Sequence, residues 1–229
     1  MHNRDGYLHR QRHMIALVGA GGKTTLLYAL AEECCRKGWK TLVTTTTHIW
    51  RPEERWMAHS EAELLAMWEQ GRFAVAGQEA PGGKLTAPDE LERYAALADV
   101  VLIEADGAKC MACKMPRDGE PVILPECELV IGVMGLSVLG QPLREACFRW
   151  ELAAQMLGVP GEHRLTEDDL AAILLSECGT RKQVGAREYW VVLNQCDDAP
   201  RRRSGEQIRK RLNEGGVQTV FLTQYAKPV

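Results

Sequence analysis

The sequence predicts an α/β fold of three layers, in which helices cover both faces of a mostly parallel central sheet. Short apolar runs, typical of buried strands, recur along the chain at 14–18, 100–103, 128–135 and 188–193. Between them lie segments whose apolar residues are spaced as on one face of a helix. This alternation of strand and helix patterns is typical of α/β proteins with a parallel sheet.

Composition indicates a globular protein. The 229 residues are 45% hydrophobic and 26% charged, so the chain can bury a substantial core. The net charge of −3 gives no general attraction to nucleic acid or to anionic membranes. No apolar run is long enough to span a bilayer and the first residues are polar, so we expect a cytoplasmic location. The eight cysteines are accordingly expected to be reduced thiols.

The first strand leads directly into a glycine-rich turn that opens an amphipathic helix. Backbone N–H groups and the helix dipole attract an anion at such a turn, which is typical of a phosphate-binding loop. Lys23 would add a full positive charge, and the Thr24 hydroxyl would ligate Mg²⁺. The usual glycine five residues before Gly-Lys is replaced by Leu17, so the loop is shorter than the standard pattern. The predicted nucleotide-binding residues are Gly19, Ala20, Gly21, Gly22, Lys23, Thr24 and Thr25.

The next strand begins near Lys40 and ends in four threonines and a histidine, residues 44–48. The carboxyl ends of parallel strands point into the ligand crevice of such a sheet. Thr45 to Thr47 could therefore reach the γ-phosphate or Mg²⁺, and Thr46 is the catalytic candidate. The strand propensity of threonine is the alternative explanation.

Residues from about 50 to 88 are less regular and are expected to form an insertion in a single domain spanning residues 1–229. Ser60 and Glu63 resemble a capping box at the start of a helix, and residues 72–76 resemble a strand. We expect a loop from Gly77 to Gly83, followed by a helix that begins near Pro88. The tryptophans of this region are expected to pack internally rather than to form a stacking platform: Trp50, Trp56 and Trp68.

Two acidic residues follow the most apolar strand of the chain. Glu104 ends this strand and Asp106 lies two residues further on, so both side chains could point the same way into the phosphate crevice. Mg²⁺ bound to phosphates often takes one or two carboxylate ligands. Glu104 and Asp106 are therefore predicted catalytic residues and, together with Thr24, magnesium ligands. A surface turn at the strand end is the alternative.

A Cys-x-x-Cys pair, Cys110 and Cys113, follows within a few residues. Such a pair can supply half of a tetrahedral metal site or a redox couple, but a second pair at suitable spacing is missing from the sequence. Incidental cysteines are the default interpretation. A metal or selenium site at Cys110 and Cys113 is the alternative.

The second half of the chain continues the alternation of strands and helices. A helical segment at about 142–180 is predicted to contain a helix over 142–158 and a second helix capped by Thr166. A basic amphipathic helix over 204–213 and a last strand over 217–222 complete the pattern.

The strand over 188–193 ends in Asn194-Gln195-Cys196-Asp197. Many GTP-binding proteins carry Asn-Lys-x-Asp after a late strand, where the aspartate accepts hydrogen bonds from guanine. Asn194 and Asp197 keep the polar ends of that pattern, while Gln195 replaces the lysine. Asn194 and Asp197 are therefore candidate base-binding residues, and a turn or helix cap is the alternative.

Four stretches together resemble the selenium-dependent hydroxylase accessory family, YqeC: Val18 to Thr25, Thr44 to His48, Glu104 to Lys109, and Val133 to Leu143. The resemblance extends over about residues 14–223. It implies a three-layer, P-loop NTPase-like fold and a role in the maturation of selenium-dependent molybdenum hydroxylases. It also implies that Gly19 to Thr25 form the phosphate loop and that Glu104 and Asp106 form the acidic pair. The chain departs from the family pattern at Cys110 and Cys113.

Three functions agree with these patterns. The first is an ATP or GTP hydrolase that uses Mg²⁺ and serves a molybdenum hydroxylase or its cofactor-maturation proteins. The second is an ATP-dependent phosphotransferase acting on a small cofactor precursor admitted by the region from Trp50 to Lys84. The third is a nucleotide-gated carrier that holds a metal or selenium with Cys110 and Cys113. The sequence identifies no arginine finger, so a partner or a homodimer would be needed for fast turnover.

Overall fold

The computed structural model describes residues 13–224, so the expectations for the first twelve residues and for the last five lie outside it. In chain order, the strands of this part are β1 His13–Gly19, β2 Thr41–Thr45, β3 Ile49–Trp50, β4 Ala74–Val75, β5 Gln78–Ala80, β6 Lys84–Thr86, β7 Val100–Glu104, β8 Cys113–Lys114, β9 Leu129–Gly135, β10 Cys147–Phe148, β11 Glu188–Asn194 and β12 Thr219–Leu222. The α-helices are α1 Lys23–Arg36, α2 Glu61–Glu69, α3 Leu91–Leu97, α4 Leu143–Ala146, α5 Trp150–Leu157, α6 Glu167–Leu175 and α7 Ala199–Glu214. Short 3-10 turns cover Glu54–Trp56 and Leu136–Val138.

Seven strands form one central sheet in the order β12-β11-β9-β1-β7-β2-β4, and every adjacent pair is parallel. The predicted α/β class with a parallel central sheet is therefore confirmed. Strand β1 lies in the middle, between β7 and β9. The carboxyl ends of these strands share one edge of the sheet, which is where a doubly wound fold places its ligand crevice.

Both faces of the sheet are covered, because alternate residues of β1 belong to different apolar clusters. Ala16 and Val18 pack in a cluster that receives side chains from α2, α3, α5, α6 and α7. Ile15 and Leu17 pack in a second cluster, which receives side chains from α1. Successive side chains of a strand point to opposite faces, so this division produces the three layers.

A small antiparallel sheet, β3-β6-β5, lies outside the central sheet. The prediction of a loop over Gly77 to Gly83 is wrong for Gln78–Ala80, which form β5, and holds for Pro81-Gly82-Gly83, which close the hairpin of β5 and β6. Both glycines of this turn are left-handed, with φ of 78° and 70°. Trp50, on β3, is 54% exposed, so the expectation that it packs internally is also wrong. The division of the chain into a single domain with an insertion at about 50–88 stays a prediction.

The helix predicted over 142–158 is broken into α4 and α5. Residues 147 and 148 between them form β10, which pairs in parallel with β8, so the backbone is extended there. Arg149 then adopts a left-handed conformation, with φ of 62°, and α5 begins at Trp150. Helical spacing of apolar residues concealed this interruption, because a two-residue strand is too short to change the periodicity.

The helix caps that the sequence predicted at Ser60 and Thr166 are present in the structure. Thr166 caps α6 in a complete capping box with Asp169, as expected. Ser60 caps α2 by accepting a hydrogen bond from the Glu63 amide. Helix α7 begins earlier than predicted, at Ala199, because Asp198 caps it and Pro200 favours its first turn.

Across residues 13–224, every helix is too short or too polar to cross a lipid bilayer.

Candidate phosphate-binding site

The glycine-rich loop lies between the carboxyl end of β1 and the first turn of α1. Gly19, Gly21 and Gly22 have φ of 92°, 86° and 117°, in the region that other residues rarely adopt. A Cβ at Gly21 would lie 2.3 Å from the Gly135 amide nitrogen, and one at Gly22 would lie 2.3 Å from Asn194 Nδ2. The glycines therefore allow the loop to pack directly against the ends of β9 and β11.

The first three amides of the loop are used to hold its shape. The Gly19 N–H donates to Asp106 Oδ2 at 3.0 Å, the Ala20 N–H to the Val133 carbonyl at 2.8 Å, and the Gly21 N–H to the Met111 carbonyl at 3.2 Å.

The next four N–H groups, at residues 22–25, have no acceptor within the described part of the chain. They form the open N-terminus of α1, a helix of 14 residues. Unsatisfied donors at the positive end of a helix dipole are the arrangement that binds anions in other proteins. The donors available to an anion are thus those of Gly22 to Thr25, rather than those of the whole predicted loop.

Lys23 is buried over this loop, with only 3% of its side chain exposed. Its ammonium donates to the Gly19 carbonyl at 2.7 Å and lies 3.2 Å from Asp106 Oδ1 and 3.8 Å from Glu104 Oε1. A carbonyl and two carboxylates therefore compensate the buried charge. The predicted residues Lys23, Glu104 and Asp106 are brought together.

Thr24 and Glu104 meet beside the loop, where the Thr24 hydroxyl donates to Glu104 Oε2 at 2.8 Å. Burial raises the pKa of Glu104, Lys23 and the Thr24 hydroxyl oppose this rise, and Asp106 adds to it. A hydroxyl and a carboxylate are oxygen donors of the kind that Mg²⁺ prefers. This donor pair fits the predicted metal.

The Asp106 side chain points away from Thr24 and Glu104, towards the back of the loop. One oxygen accepts from the Gly19 amide and lies 2.9 Å from the Lys114 ammonium, and the side chain borders a narrow crevice behind the loop together with Thr180 and Pro121. Glu104 and Asp106 therefore do not face the same space, because the chain leaves the extended conformation after Glu104, the last residue of β7. Only Glu104 of the two lines the large cavity described next.

A cavity of about 910 Å³ opens in front of the loop. Residues 21–25 and 46–48 line one part of it. Five cationic side chains and two carboxylates line the cavity: Lys23, Lys84, Lys109, Arg117 and Arg149, with Glu104 and Glu120. The whole chain carries a net charge of −3, so the cavity has the opposite sign to the rest of the molecule. Such concentrated positive charge attracts an anionic ligand.

Unusual backbone conformations are concentrated around this cavity. Among residues 13–224, five non-glycine residues have a positive φ, and four of them line the cavity: Lys109, Cys110, Arg149 and Gln195. Backbone strain of this kind persists where the surrounding structure enforces it, and it is common at functional sites.

A chain of alternating charges connects the loop to the far wall of the cavity, and the sequence analysis missed it. Beyond Asp106, the Lys114 ammonium lies 3.1 Å from Glu120 Oε2, and Glu120 accepts two hydrogen bonds from Arg149, at 2.7 and 2.9 Å. Burial opposes ionisation of Glu120, but Arg149 and Lys114 outweigh it and lower its pKa to about 2. Lys114, only 1% exposed, lies between Cys113 and Met115, and nothing in that pattern indicates a buried ion pair.

The remaining predicted residues divide between the cavity and its surroundings. Thr46 lines the cavity, and its hydroxyl donates to the Val122 carbonyl at 2.6 Å. Asn194 supports the loop by donating to the Gly21 carbonyl at 2.9 Å, and it accepts from Thr223. Asp197 lies 3.3 Å from Arg201 and is outside the set of residues that line the cavity, whereas Gln195 belongs to that set. Roles for Asn194 and Asp197 in binding a base stay predictions.

The two cysteines of the Cys-x-x-Cys pair have different surroundings. Cys110 is exposed at the cavity wall, whereas Cys113 is buried, with its Sγ 3.3 Å from that of Cys147. The hydrogen bond with Cys147 and burial raise the pKa of Cys113 well above its usual value, which disfavours the thiolate that binds metals. Over residues 13–224, no group of three or more His, Cys, Asp or Glu side chains could hold a metal ion.

This architecture defines a P-loop NTPase-like fold: a central parallel strand, a glycine loop, a helix opened by lysine and threonine, and an acid at the end of the neighbouring strand. The profile of the YqeC protein family matches residues 15–151. The Escherichia coli (strain K12) protein named "Uncharacterized protein YqeC" is 32% identical over 223 residues, covering 91% of this chain and 86% of that protein. The chain belongs to the YqeC family.

A solved structure with some similarity is the crystal structure of HypB from Helicobacter pylori in complex with nickel. It covers 96% of this chain and 82% of the HypB chain, with 11% identity and a TM-score of 0.38. A match with so low a TM-score supports no functional assignment.

Gly21→Ala tests the close approach of the loop to β9. The new Cβ would meet the Gly135 backbone amide, which cannot rotate away, so we expect the free energy of unfolding to fall by about 2–4 kcal/mol. Gly38→Ala is the control, because Gly38 also has a positive φ, of 78°, with nothing within 4 Å of its Cβ position. That variant should lose about 1 kcal/mol. Equal losses in urea denaturation would contradict the close approach.

Glu120→Gln tests the chain of alternating charges through its pH dependence. The pKa of Glu120 is lowered in the folded protein, so its stabilisation is complete above the unfolded pKa and is lost as the pH falls towards about 2. Near neutral pH we expect the variant to be less stable by about 2 kcal/mol, a value discounted for partial solvent contact. The difference should narrow as denaturation is repeated from about pH 5 downwards. A difference independent of pH would argue against the ion pairs.

Proposed function

We propose that this protein binds a nucleoside triphosphate with Mg²⁺ and hydrolyses it in support of the maturation of selenium-dependent molybdenum hydroxylases. One observation carries the nucleotide part: four open N–H donors, Lys23, Thr24 and Glu104 converge at one end of a positively charged cavity. The client class is supported by the family resemblance alone. A cytoplasmic location accompanies this proposal.

The loop supplies what a chain of phosphates requires. The amides of Gly22 to Thr25 donate hydrogen bonds to phosphate oxygens, and the α1 dipole adds positive potential. Lys23 contacts a phosphate by exchanging part of its present contacts with Gly19, Glu104 and Asp106. Phosphate oxygens take the place of some of these acceptors, so the positive charge of Lys23 stays balanced.

Thr24 and Glu104 are the side chains that would hold Mg²⁺. When bound, the ion neutralises negative charge on the phosphates and helps to orient them. Asp106 supports the site indirectly, because it fixes the Gly19 amide and Lys23 from behind the loop. We therefore favour Glu104 over Asp106 as the acidic metal ligand.

Thr46 is the candidate for positioning the attacking water. Its hydroxyl proton is already donated to the Val122 carbonyl, so its oxygen is left as an acceptor facing the cavity. A water that donates to this oxygen would have a lone pair free for attack on the terminal phosphorus. This role is one of orientation rather than of proton removal, because a threonine hydroxyl is a poor base.

Intrinsic turnover should be slow. Arg149 and Arg117 line the cavity, but both guanidinium groups contact Glu120 instead of being free to stabilise the terminal phosphate. P-loop enzymes without an arginine at the transferred phosphate are slow until a partner supplies one. A client protein or a second copy of the chain is therefore proposed as the activator.

Phosphotransfer is the second candidate, and the reach of the cavity favours it. The same space that begins at the loop extends to Trp50 and Lys84 on the small sheet, in the region where an acceptor was expected. A small acceptor beside the terminal phosphate would take the place of water. Detection of a phosphorylated product, rather than free phosphate, would distinguish the two reactions.

Lys23→Ala tests the nucleotide site. Removal of the charged contact to the phosphates should lower kcat/KM for nucleotide hydrolysis by about 100-fold or more. Phosphate release and calorimetric titration with nucleotide and Mg²⁺ measure the effect. Lys37→Ala is the matched control, because Lys37 caps the opposite end of α1. Hydrolysis and binding like the parent in Lys23→Ala would end the proposal.

The choice of base is tested with ATP and GTP titrations in the presence of Mg²⁺. The Asp197 carboxylate lies 3.3 Å from Arg201 and outside the cavity, so we expect Asp197→Ala to leave the ratio of the two affinities within about twofold. A preference for GTP that disappears in Asp197→Ala would instead support guanine recognition by Asn194 to Asp197.

A further inference from the structure

We propose that the cavity binds a second ligand beside the nucleotide: a planar aromatic molecule with a carboxylate or phosphate group, held by Trp50 and Lys84. The inference rests on the proposed function, because the nucleotide is taken to occupy the loop end of the cavity. It goes further by assigning a site and a ligand class to the opposite end.

Trp50 is a large aromatic residue whose side chain is exposed to solvent, which is unusual for tryptophan. Its side chain is 54% exposed, and it is one of the three large hydrophobic residues exposed in the described chain. It lies at the cavity wall on β3, beside the buried Ile49. Indole presents a broad π-face that stacks on planar rings, and such stacking tolerates many ring types.

Lys84 adds a charge to this platform. It pairs with Trp50 across the antiparallel strands β3 and β6, and its ammonium lies over one face of the indole, 5.2 Å from the ring centre, so the opposite face is the one on which a ligand ring can stack. The structure gives Lys84 no carboxylate partner within the described residues, in contrast to Lys23, Arg117 and Arg149. An aromatic face beside an uncompensated ammonium suits a ring that carries an acidic group.

The strand order places this platform and Gln195 on opposite sides of the phosphate loop. Strand β1 has β9 and then β11 on one side, and β7 and then β2 on the other. Gln195 follows β11, whereas Trp50 follows β2, so the two cavity-lining residues lie on opposite sides of the phosphate loop. Glu104, the proposed metal ligand, lies on β7, on the same side as Trp50. The proposal takes the nucleoside to extend along the Gln195 side of the loop, which leaves the Trp50 side for the second ligand.

The far wall of the cavity has a second pairing of cations with an aromatic ring. The Arg149 guanidinium lies 4.4 Å from the centre of the Phe148 ring, and the Lys109 ammonium lies 5.0 Å from it. On this wall Arg149 and Arg117 share the carboxylate of Glu120, whereas the third partner of Glu120, Lys114, is also paired with Asp106. This wall therefore keeps an excess of positive charge, which further favours an anionic ligand over a neutral or cationic one.

The test uses the full chain with Mg²⁺ and AMP-PNP, a non-hydrolysable ATP analogue, at saturating concentration. CMP, a small planar ring with a phosphate, is then titrated by calorimetry, and bound AMP-PNP is measured in parallel. Cytidine lacks the phosphate and ribose 5-phosphate lacks the ring. We expect CMP to bind without releasing AMP-PNP, and both fragments to bind at least about 10-fold more weakly.

Two variants locate the site. Trp50→Leu removes the π-face and Lys84→Gln removes the charge, and each should weaken CMP binding by about 10-fold while leaving AMP-PNP binding unchanged. Lys37→Gln is the matched control, because the Lys37 ammonium lies 5.3 Å from the Trp39 ring, a similar pair outside the cavity. It should change neither affinity.

The outcomes separate this inference from the proposed function. AMP-PNP that binds without any binding of CMP overturns the inference alone. CMP that displaces AMP-PNP, or that binds equally well to Trp50→Leu and Lys84→Gln, also overturns it, because the contact then lies elsewhere. Failure of AMP-PNP itself to bind overturns the proposed function, and the inference with it.

Discussion

The buried ammonium of Lys23 is the interaction on which the site depends. A charge with so little solvent contact is stable only when opposite charges and hydrogen-bond acceptors surround it. The Gly19 carbonyl, Asp106 and Glu104 supply them, and these groups come from β1, from β7 and from the segment after it. The parallel pairing of β1 with β7 therefore determines the position of the ammonium. The same pairing brings the Thr24 hydroxyl to Glu104.

Charge compensation continues well beyond the loop. From Lys23 the partners alternate through Asp106, Lys114 and Glu120 to Arg149, so a line of contacts connects the glycine-rich loop to the cavity wall at Arg149. Each carboxylate in this line has more than one cationic partner. Removing one member would therefore leave its buried neighbours with fewer compensating charges, which costs more than the loss of an exposed ion pair would. The cavity is therefore bordered by a network of ion pairs and lined by an excess of cationic side chains.

Much of the fold could be predicted from local patterns. The long apolar runs became β7, β9 and β11, because strands covered on both faces have few polar residues. Thr166 could be identified as a cap because it is a threonine directly before three acidic residues that favour a first helical turn. Short elements could not be predicted in this way: the hairpin of β5 and β6 and the pair of β8 and β10 have two or three residues per strand. Such strands depend on pairing with distant segments rather than on their own periodicity.

The sequence by itself determined the parallel α/β class and the position of the glycine-rich loop between β1 and α1. Both are local properties: an apolar strand, a turn that only glycines can make, and a helix whose first residues are lysine and threonine. Tertiary structure alone decided which groups face the cavity. It directed Glu104 towards Thr24 and Asp106 behind the loop, buried Lys114 and left Trp50 uncovered. The physical reason is that the exposure of a side chain depends on which distant strands pack against its own strand. The spacing of residues in the sequence does not identify those neighbours.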